Sequence, residues 1–238
     1  MMNVKDVEVT ALCDLNEGAV KRNQETLQRF NRRPAKEYFG DDYSWKQLCE
    51  QDDIDLVYIA TPWKWHTPIA VYAMECGKHV AVEVPAAGTL EDCWQLVETS
   101  ERTKKHCMQL ENCCYDFFEI LTVNMVQKGL FGEVIHGEGA YIHELLSGMF
   151  GEPQWPTWRW DENHKSGNPY PTHGLGPVCW AMNINRGDKM EYMTSMSTDD
   201  FLMEAKAKEL AVQNDYYKPM AAMKYRGNMN TSTVRTAK

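Results

Sequence analysis

Residues 56–88, LVYIATPWKWHTPIAVYAMECGKHVAVEVPAAG, hold the logic of the fold. Leu56 to Ala60 is a short apolar run rich in β-branched residues, and Pro62 breaks it. Thr67 to Glu75 reads as a helix, with Gly77 placed to close it. His79 to Val84 is a second apolar run, which turns at Pro85. Strand, helix, strand within roughly 30 residues is a βαβ unit, and its two strands must be parallel.

The same alternation extends in both directions. Val7 to Cys13 reads as a strand ending at Asp14, Asn16 to Arg32 as a surface helix, and Glu37 to Phe39 as a short strand. Ser44 to about Gln51 reads as a helix. Downstream, Thr89-Leu-Glu-Asp92 is a capping-box pattern. Leu90, Cys93, Trp94 and Val97 then follow at helical spacing, and Cys107 to Leu110 is a further strand. Short loops between apolar strands predict a doubly wound parallel sheet with helices on both faces.

After Tyr115 the pattern changes. A helix is expected to about Lys128, a longer strand over Glu133 to Tyr141, and a loop from Leu146 to Pro171. Trp155, Trp158 and Trp160 in that loop argue for order. A short helix from Gly176 to Asn185, a strand over Lys189 to Ser197, a mobile connection over Thr198 to Lys218 and the start of a strand pair within Met220 to Thr236 complete the reading. It predicts an α+β domain with a mostly antiparallel sheet over 113–238, after a parallel domain over 1–112.

The composition narrows the function. A net charge of -9 argues against nucleic acid or an anionic membrane as the main partner. No apolar run approaches the roughly 18 residues of a membrane span. MMNVKDVEVT has the pattern of neither a signal peptide nor a twin-arginine leader, which leaves the compartment open. The 8 cysteines include no C-x-x-C pair, so they read as reduced thiols acting as small apolar groups, with no metal.

Ligands of open parallel sheets bind at the carboxyl ends of the strands. Four strand ends there are polar. Asp14 could accept hydrogen bonds from an adenosine ribose, which favours NAD over NADP; the alternative is a helix cap. Thr61-Pro-Trp-Lys-Trp-His66 offers the flat faces of Trp63 and Trp65 and the imidazole of His66; the alternative is core and cap. Glu83, and Glu111-Asn112 after the next strand, complete the edge.

A second group lies later. In NPYPTHGLGP, from Asn168 to Pro177, prolines stiffen the backbone and glycines permit tight turns. Tyr170 and His173 could present a phenol and an imidazole for acid–base work. His143 could point to the same cavity or be solvated. Arg159 could bind substrate oxygens or pair with Asp161. Aromatic platforms among polar donors suit a sugar.

ALCDLN, IATPWKWH and GKHVAVEVPAA resemble the Gfo/Idh/MocA family of NAD(P)-dependent sugar oxidoreductases. PWKWH, EVPAAGTLEDCW, LENCCY, NMVQKGLFGEVIHGEGAYIH, WRW and YPTHGLGP with NINRG resemble glycoside hydrolase family 109 more narrowly, from about Val7 to Ser197. That resemblance implies an NAD-dependent α-N-acetylgalactosaminidase. NAD would oxidise carbon 3 of the sugar, a base would remove the acidified proton on carbon 2, the leaving group would depart, and water and hydride would return.

By the resemblance Tyr115, Tyr170 and His173 are catalytic or substrate-binding; the residues themselves add His143 and Arg159 as candidates beside the substrate. Asp14, Trp63, Trp65, His66, Glu83 and Asn112 would serve the cofactor, Glu83 beside the nicotinamide. Ordinary relatives carry Glu-Lys-Pro where this chain has Glu83-Val84-Pro85. Val84 cannot shuttle a proton, which counts against a plain dehydrogenase.

The resemblance also implies a missing first strand and glycine-rich turn, a βαβ portion on the order of 30 residues, before Met1. It implies further sequence after Lys238 as well. A sugar dehydrogenase of the wider family and an inactive fragment lacking the dinucleotide turn are the two alternatives. A glycan with terminal N-acetylgalactosamine is the expected partner, and a homo-oligomer is left open.

Overall fold

The computed structural model describes residues 4–154, 156–162, 168–199, 202–225 and 230–237. Trp155 lies outside them. The chain divides into two compact units, Met1–Leu110 and Glu111–Lys238. The division falls shortly before the boundary expected from sequence.

Among its described residues, unit 1 has five parallel strands in two sheets. β1 (Ala11–Asp14) pairs with β2 (Lys36–Phe39), in register from Ala11 with Lys36 to Asp14 with Phe39. β3 (Leu56–Ile59), β4 (His79–Val82) and β5 (Cys107–Gln109) form the second sheet in that order. Helices α1 (Glu17–Arg29), α2 (Ser44–Cys49), α3 (His66–Glu75) and α4 (Leu90–Thr103) link the strands.

Local chemistry sets these boundaries. The Asn16 side chain caps α1 by accepting from the Ala19 amide at 3.3 Å. Thr89 and Asp92 form the expected reciprocal capping box of α4. Gly77 takes the positive φ, +80°, that turns the chain out of α3 and into β4.

The core lies between β3–β4 and α3. Val57, Ile59, Val80 and Val82 pack with Ile69, Ala70, Ala73 and Met74, all buried. The other side of β3 differs from the two-faced covering expected. Leu56 is 50% exposed and Tyr58 43%, so β3 alternates between core and solvent. Each core side chain of this size stabilises the unit by about 1.5–3 kcal/mol.

Unit 2 is mainly helical: α5 (Phe117–Gln127), α6 (Leu146–Met149), α7 (Arg159–Glu162), α8 (Pro171–Ala181), α9 (Met203–Gln213) and α10 (Lys218–Ala221). β6 (Lys189–Ser197) pairs antiparallel with β7 (Asn230–Ala237). Three expectations fail here. Residues 133–141 form no strand. The connection expected over 198–218 contains α9, whose Met203 and Ala207 are buried in a core with Phe150, Tyr217, Met220 and Tyr225. The helix expected from Gly176 begins at Pro171, because proline at a first helical position costs no hydrogen bond. No helix among the described residues is long and apolar enough to cross a membrane.

Candidate functional site

Two groups of polar side chains emerge, one in each unit. In unit 1 they sit at the carboxyl ends of the strands. Asp14 ends β1, exposed, and its Oδ1 accepts from the Asn16 amide at 2.8 Å. Asn16, not Asp14, caps α1, so the second Asp14 oxygen has no part in the cap. Trp63 to Trp65 form a 3₁₀ turn.

The two tryptophans and His66 divide. Trp63 is half-buried. Trp65 packs edge-on against Tyr43 at 5.6 Å and beside Trp45 at 6.2 Å, in the core. His66 is 1% exposed. Its Nδ1 lies 2.7 Å from the Pro85 carbonyl oxygen and its Nε2 lies 2.8 Å from that of Thr61. Both ring nitrogens are therefore engaged by backbone, and the imidazole ties the β3 and β4 exit loops together. That geometry fixes the ring at the edge where the two loops meet.

Glu83 follows β4 and accepts a hydrogen bond from the Tyr58 hydroxyl. Burial, then the Glu83 carboxylate, push the Tyr58 phenol up to about 12. Val84 is buried at 7% exposure, so its side chain belongs to packing. Thr61 Oγ1 is buried with no hydrogen-bond partner. It is a hydrogen-bonding group left unused at the edge where parallel sheets bind ligands.

Unit 2 holds the more developed site. The first turn of α8 places His173 in the interior, 9% exposed. Its Nδ1 lies 2.6 Å from Oε1 of Glu111, itself 8% exposed. Glu111 precedes the 3₁₀ turn Asn112–Cys114, and its Oε1 also accepts from the Cys113 amide at 3.0 Å. Glu111 Oε2 is buried with no partner. Tyr170 stacks on His173, with ring centroids 5.1 Å apart and planes 27° apart. Tyr141 covers His173 at 4.5 Å. Arg159 donates to the Tyr170 hydroxyl at 2.7 Å, and its guanidinium stacks on Trp158 at 4.9 Å. His143 joins at the edge, its Nδ1 3.0 Å from the Tyr141 hydroxyl.

Glycines make this cluster possible by close approach rather than by turning. A Cβ on Gly139 would sit 2.1 Å from the Gly174 carbonyl oxygen. One on Gly176 would meet Cys114 Sγ at 2.9 Å and Glu111 Cγ at 3.0 Å. The THGLG run thus lets the 137–141 segment and Glu111 pack flat against α8, in place of the tight turns expected of it.

Environment tunes the neighbours. Burial pushes the Tyr141 phenol up, Tyr170 adds to this, and Arg159 opposes it. Tyr141 is therefore a proton donor throughout the neutral range. Burial, then Glu111, raises the Cys113 thiol, and the same causes take Cys114 up to about 11.

Of the residues expected from sequence, Tyr170, His173, Arg159 and His143 come together. Tyr115 stands apart, edge-on to Trp180 at 5.1 Å and 50% exposed. Asn112 is exposed on the 3₁₀ turn. Glu111 was raised only at the cofactor edge and not for this cluster, and Tyr141 was not among the candidates. Glu111 was visible only as a polar strand end, and Tyr141 was absorbed into a strand that does not form. The spacing Tyr141-x-His143 was the available signal.

Comparison with known proteins agrees with both units. Residues 115–238 match the family described as glycosyl hydrolase 109, C-terminal domain, and residues 2–110 match the oxidoreductase family with an NAD-binding Rossmann fold. An alpha-N-acetylgalactosaminidase of Bacteroides fragilis is 48% identical, over 100% of this chain and 56% of its own length. A glycosyl hydrolase family 109 protein of Bacteroides thetaiotaomicron is 53% identical over 82% of this chain and 42% of its own. The chain spans about half the length of the curated relatives it matches.

Among solved structures, an oxidoreductase domain protein from Kribbella flavida superposes with a TM-score of 0.64 at 21% identity, covering 82% of this chain and 49% of that one. The WlbA dehydrogenase of Bordetella pertussis, solved with NADH and UDP-GlcNAcA, gives 0.64 at 15% identity, covering 96% and 60%. These two likenesses show the fold.

Proposed function

The chain belongs to the glycosyl hydrolase 109 family, and from that premise we propose that it acts on α-N-acetylgalactosaminides with NAD as cofactor. The observation that carries the reading is the buried Glu111–His173 pair under Tyr170 and Tyr141. A neutral imidazole held at Nδ1 by a carboxylate keeps its other nitrogen for proton transfer.

Unit 1 fits a dinucleotide by its donor set. The orphaned Thr61 Oγ1, the Asp14 carboxylate and the half-buried Glu83 lie beyond the ends of three parallel strands. Asp14 would accept from ribose hydroxyls. Trp63 would supply a flat apolar face. Bound NAD supplies a reversible hydride acceptor, which makes the sugar proton beside the oxidised carbon acidic.

Unit 2 supplies the groups that move protons. Glu111 orients His173, whose Nε2 takes the proton from carbon 2 of the sugar. Arg159 fixes the Tyr170 hydroxyl at 2.7 Å, so that phenol is aimed before substrate arrives. Tyr141 remains protonated and can donate to a sugar oxygen. Tyr115, braced on Trp180, offers a ring face for the sugar's C–H surface.

The test is release of nitrophenol from p-nitrophenyl α-N-acetylgalactosaminide by the purified chain with added NAD. Turnover without net NADH accumulation is expected. His173→Ala and Tyr170→Phe should each lower it by about 100-fold or more. Wild-type rates in both variants would sink the assignment. NADH building up with free sugar would instead identify a dehydrogenase. A calorimetric NAD titration of the folded chain separates loss of cofactor binding from loss of chemistry.

A further inference from the structure

Glu111, Cys113 and His173 offer a carboxylate oxygen, a thiol sulfur and an imidazole nitrogen that all lie within 4.8 Å of one another. The geometry points to a binding site here for a thiophilic divalent cation of the zinc type. An O, N, S donor set is the kind zinc selects, and three protein ligands leave a fourth position open.

A second observation points the same way. Glu111 is more than nine-tenths buried, and its Oε2 has no hydrogen-bond partner. A carboxylate oxygen left bare in the interior keeps its desolvation penalty unless something binds it. Its twin, Oε1, is already committed to His173 Nδ1 and the Cys113 amide. The same buried carboxylate that shares the cluster with the thiol and the ring thus carries an oxygen with no hydrogen-bond partner.

The three donor groups are near enough to share one ion, though not at the separations a bound ion imposes. Metal–ligand bonds of about 2.0–2.3 Å place ligand atoms roughly 3.4 Å apart. The 2.6 Å contact between His173 Nδ1 and Glu111 must open by somewhat less than ~1 Å, while separations of up to 4.8 Å must close toward the same value. Rotations about side-chain bonds supply both movements. On binding, the thiol gives up its proton to solvent and the Nδ1 proton shifts to the ring's other nitrogen. No bond to carbon and no electron changes hands. The cation's own charge stabilises the thiolate that the neighbouring carboxylate otherwise disfavours.

One consequence rests on the function proposed above. A cation at this place occupies His173 and so holds the protein in an inhibited form. The binding itself does not depend on that function, and it is tested without an activity assay.

The test is titration of the reduced, chelator-treated chain with Co²⁺, read by absorption. A thiolate-to-cobalt charge-transfer band in the near ultraviolet is expected in the wild type. It should persist in Cys93→Ser, which removes an exposed cysteine, and vanish in Cys113→Ser with the circular dichroism unchanged. His173→Ala keeps the thiol and should weaken Co²⁺ binding by more than ~10-fold, which keeps the test decisive if Cys113→Ser does not fold. Absence of the band in wild type, its survival in Cys113→Ser, or unchanged affinity in His173→Ala would each overturn the proposal.

Discussion

His173 Nδ1 lies 2.6 Å from Glu111 Oε1, and the two side chains are 7% and 10% exposed. This contact bridges 62 residues of chain and ties the first turn of α8 to the segment that opens unit 2. Removing one member of a buried, hydrogen-bonded pair leaves the other without compensation. Glu111→Ala should therefore destabilise the protein by about 3 kcal/mol, read from its urea midpoint. Glu111→Gln should cost less, because its amide oxygen can still accept from Nδ1. Equal midpoints for wild type and Glu111→Ala would show that the contact carries no stability.

The glycines around that pair predict a sharp contrast. A Cβ at Gly139 would sit 2.1 Å from the Gly174 carbonyl oxygen, against rigid backbone. Gly139→Ala should push the 137–141 segment off α8 and cost at least about 1–3 kcal/mol. Gly148, in α6, has nothing within 4 Å of its added Cβ. Gly148→Ala should be neutral or stabilise by up to about 1 kcal/mol. Thermal melts of the two variants make the comparison, and similar melting temperatures would contradict the packing argument.

Legibility in the sequence followed the range of the forces involved. The parallel unit was readable because each of its strands and helices carries its own local signal. Gly77, the Thr89 capping box and the apolar runs at β3 and β4 all act within a few residues. Unit 2 was read less well because its signals are tertiary. Residues 133–141 have strand-like composition, but this segment packs its glycines against α8 and pairs with no strand. α9 was read as a connection because charged residues are interleaved with its apolar ones, yet Met203 and Ala207 are buried in the unit 2 core. In the site, Tyr170 and His173 were legible through their motif. Glu111 was not, since nothing near it in sequence announces a partner 62 residues away. The two carbonyl partners of His66 were not legible either, because they belong to loops whose proximity only the fold reveals.

Tyr58 gives a pH prediction with a definite sign. Its folded phenol is raised from 10 to about 12, first by burial and then by Glu83. Below pH 10 folded and unfolded phenols are both protonated, and the group adds no pH dependence. Between 10 and about 12 the unfolded chain loses this proton first, so the contribution of Tyr58 to stability falls as pH rises. Difference titration of tyrosinate absorbance between wild type and Tyr58→Phe isolates this phenol. Glu83→Gln should lower its midpoint, though not fully to 10, because burial remains. An unchanged midpoint in Glu83→Gln would remove the carboxylate from the account.

Cysteine reactivity should follow burial, and it offers a test of the whole unit 1 core. Only the thiolate attacks an alkylating or disulfide reagent. Cys49 is fully buried, and burial pushes its thiol up to about 12. Cys13 is raised to about 11, first by burial and then by Asp14. Cys93 is exposed on α4. At pH 8 a thiol with a value near 12 is ionised about one part in ten thousand, so accessibility and ionisation act together against Cys49. Labelling followed by peptide mass mapping should find Cys93 modified first and Cys49 last, by a rate ratio of at least ~100-fold. Adding urea should erase the difference, because the protection comes from the fold. Early labelling of Cys49 in the native chain would mean that the packing of α2 against α3 opens far more readily than its buried core implies.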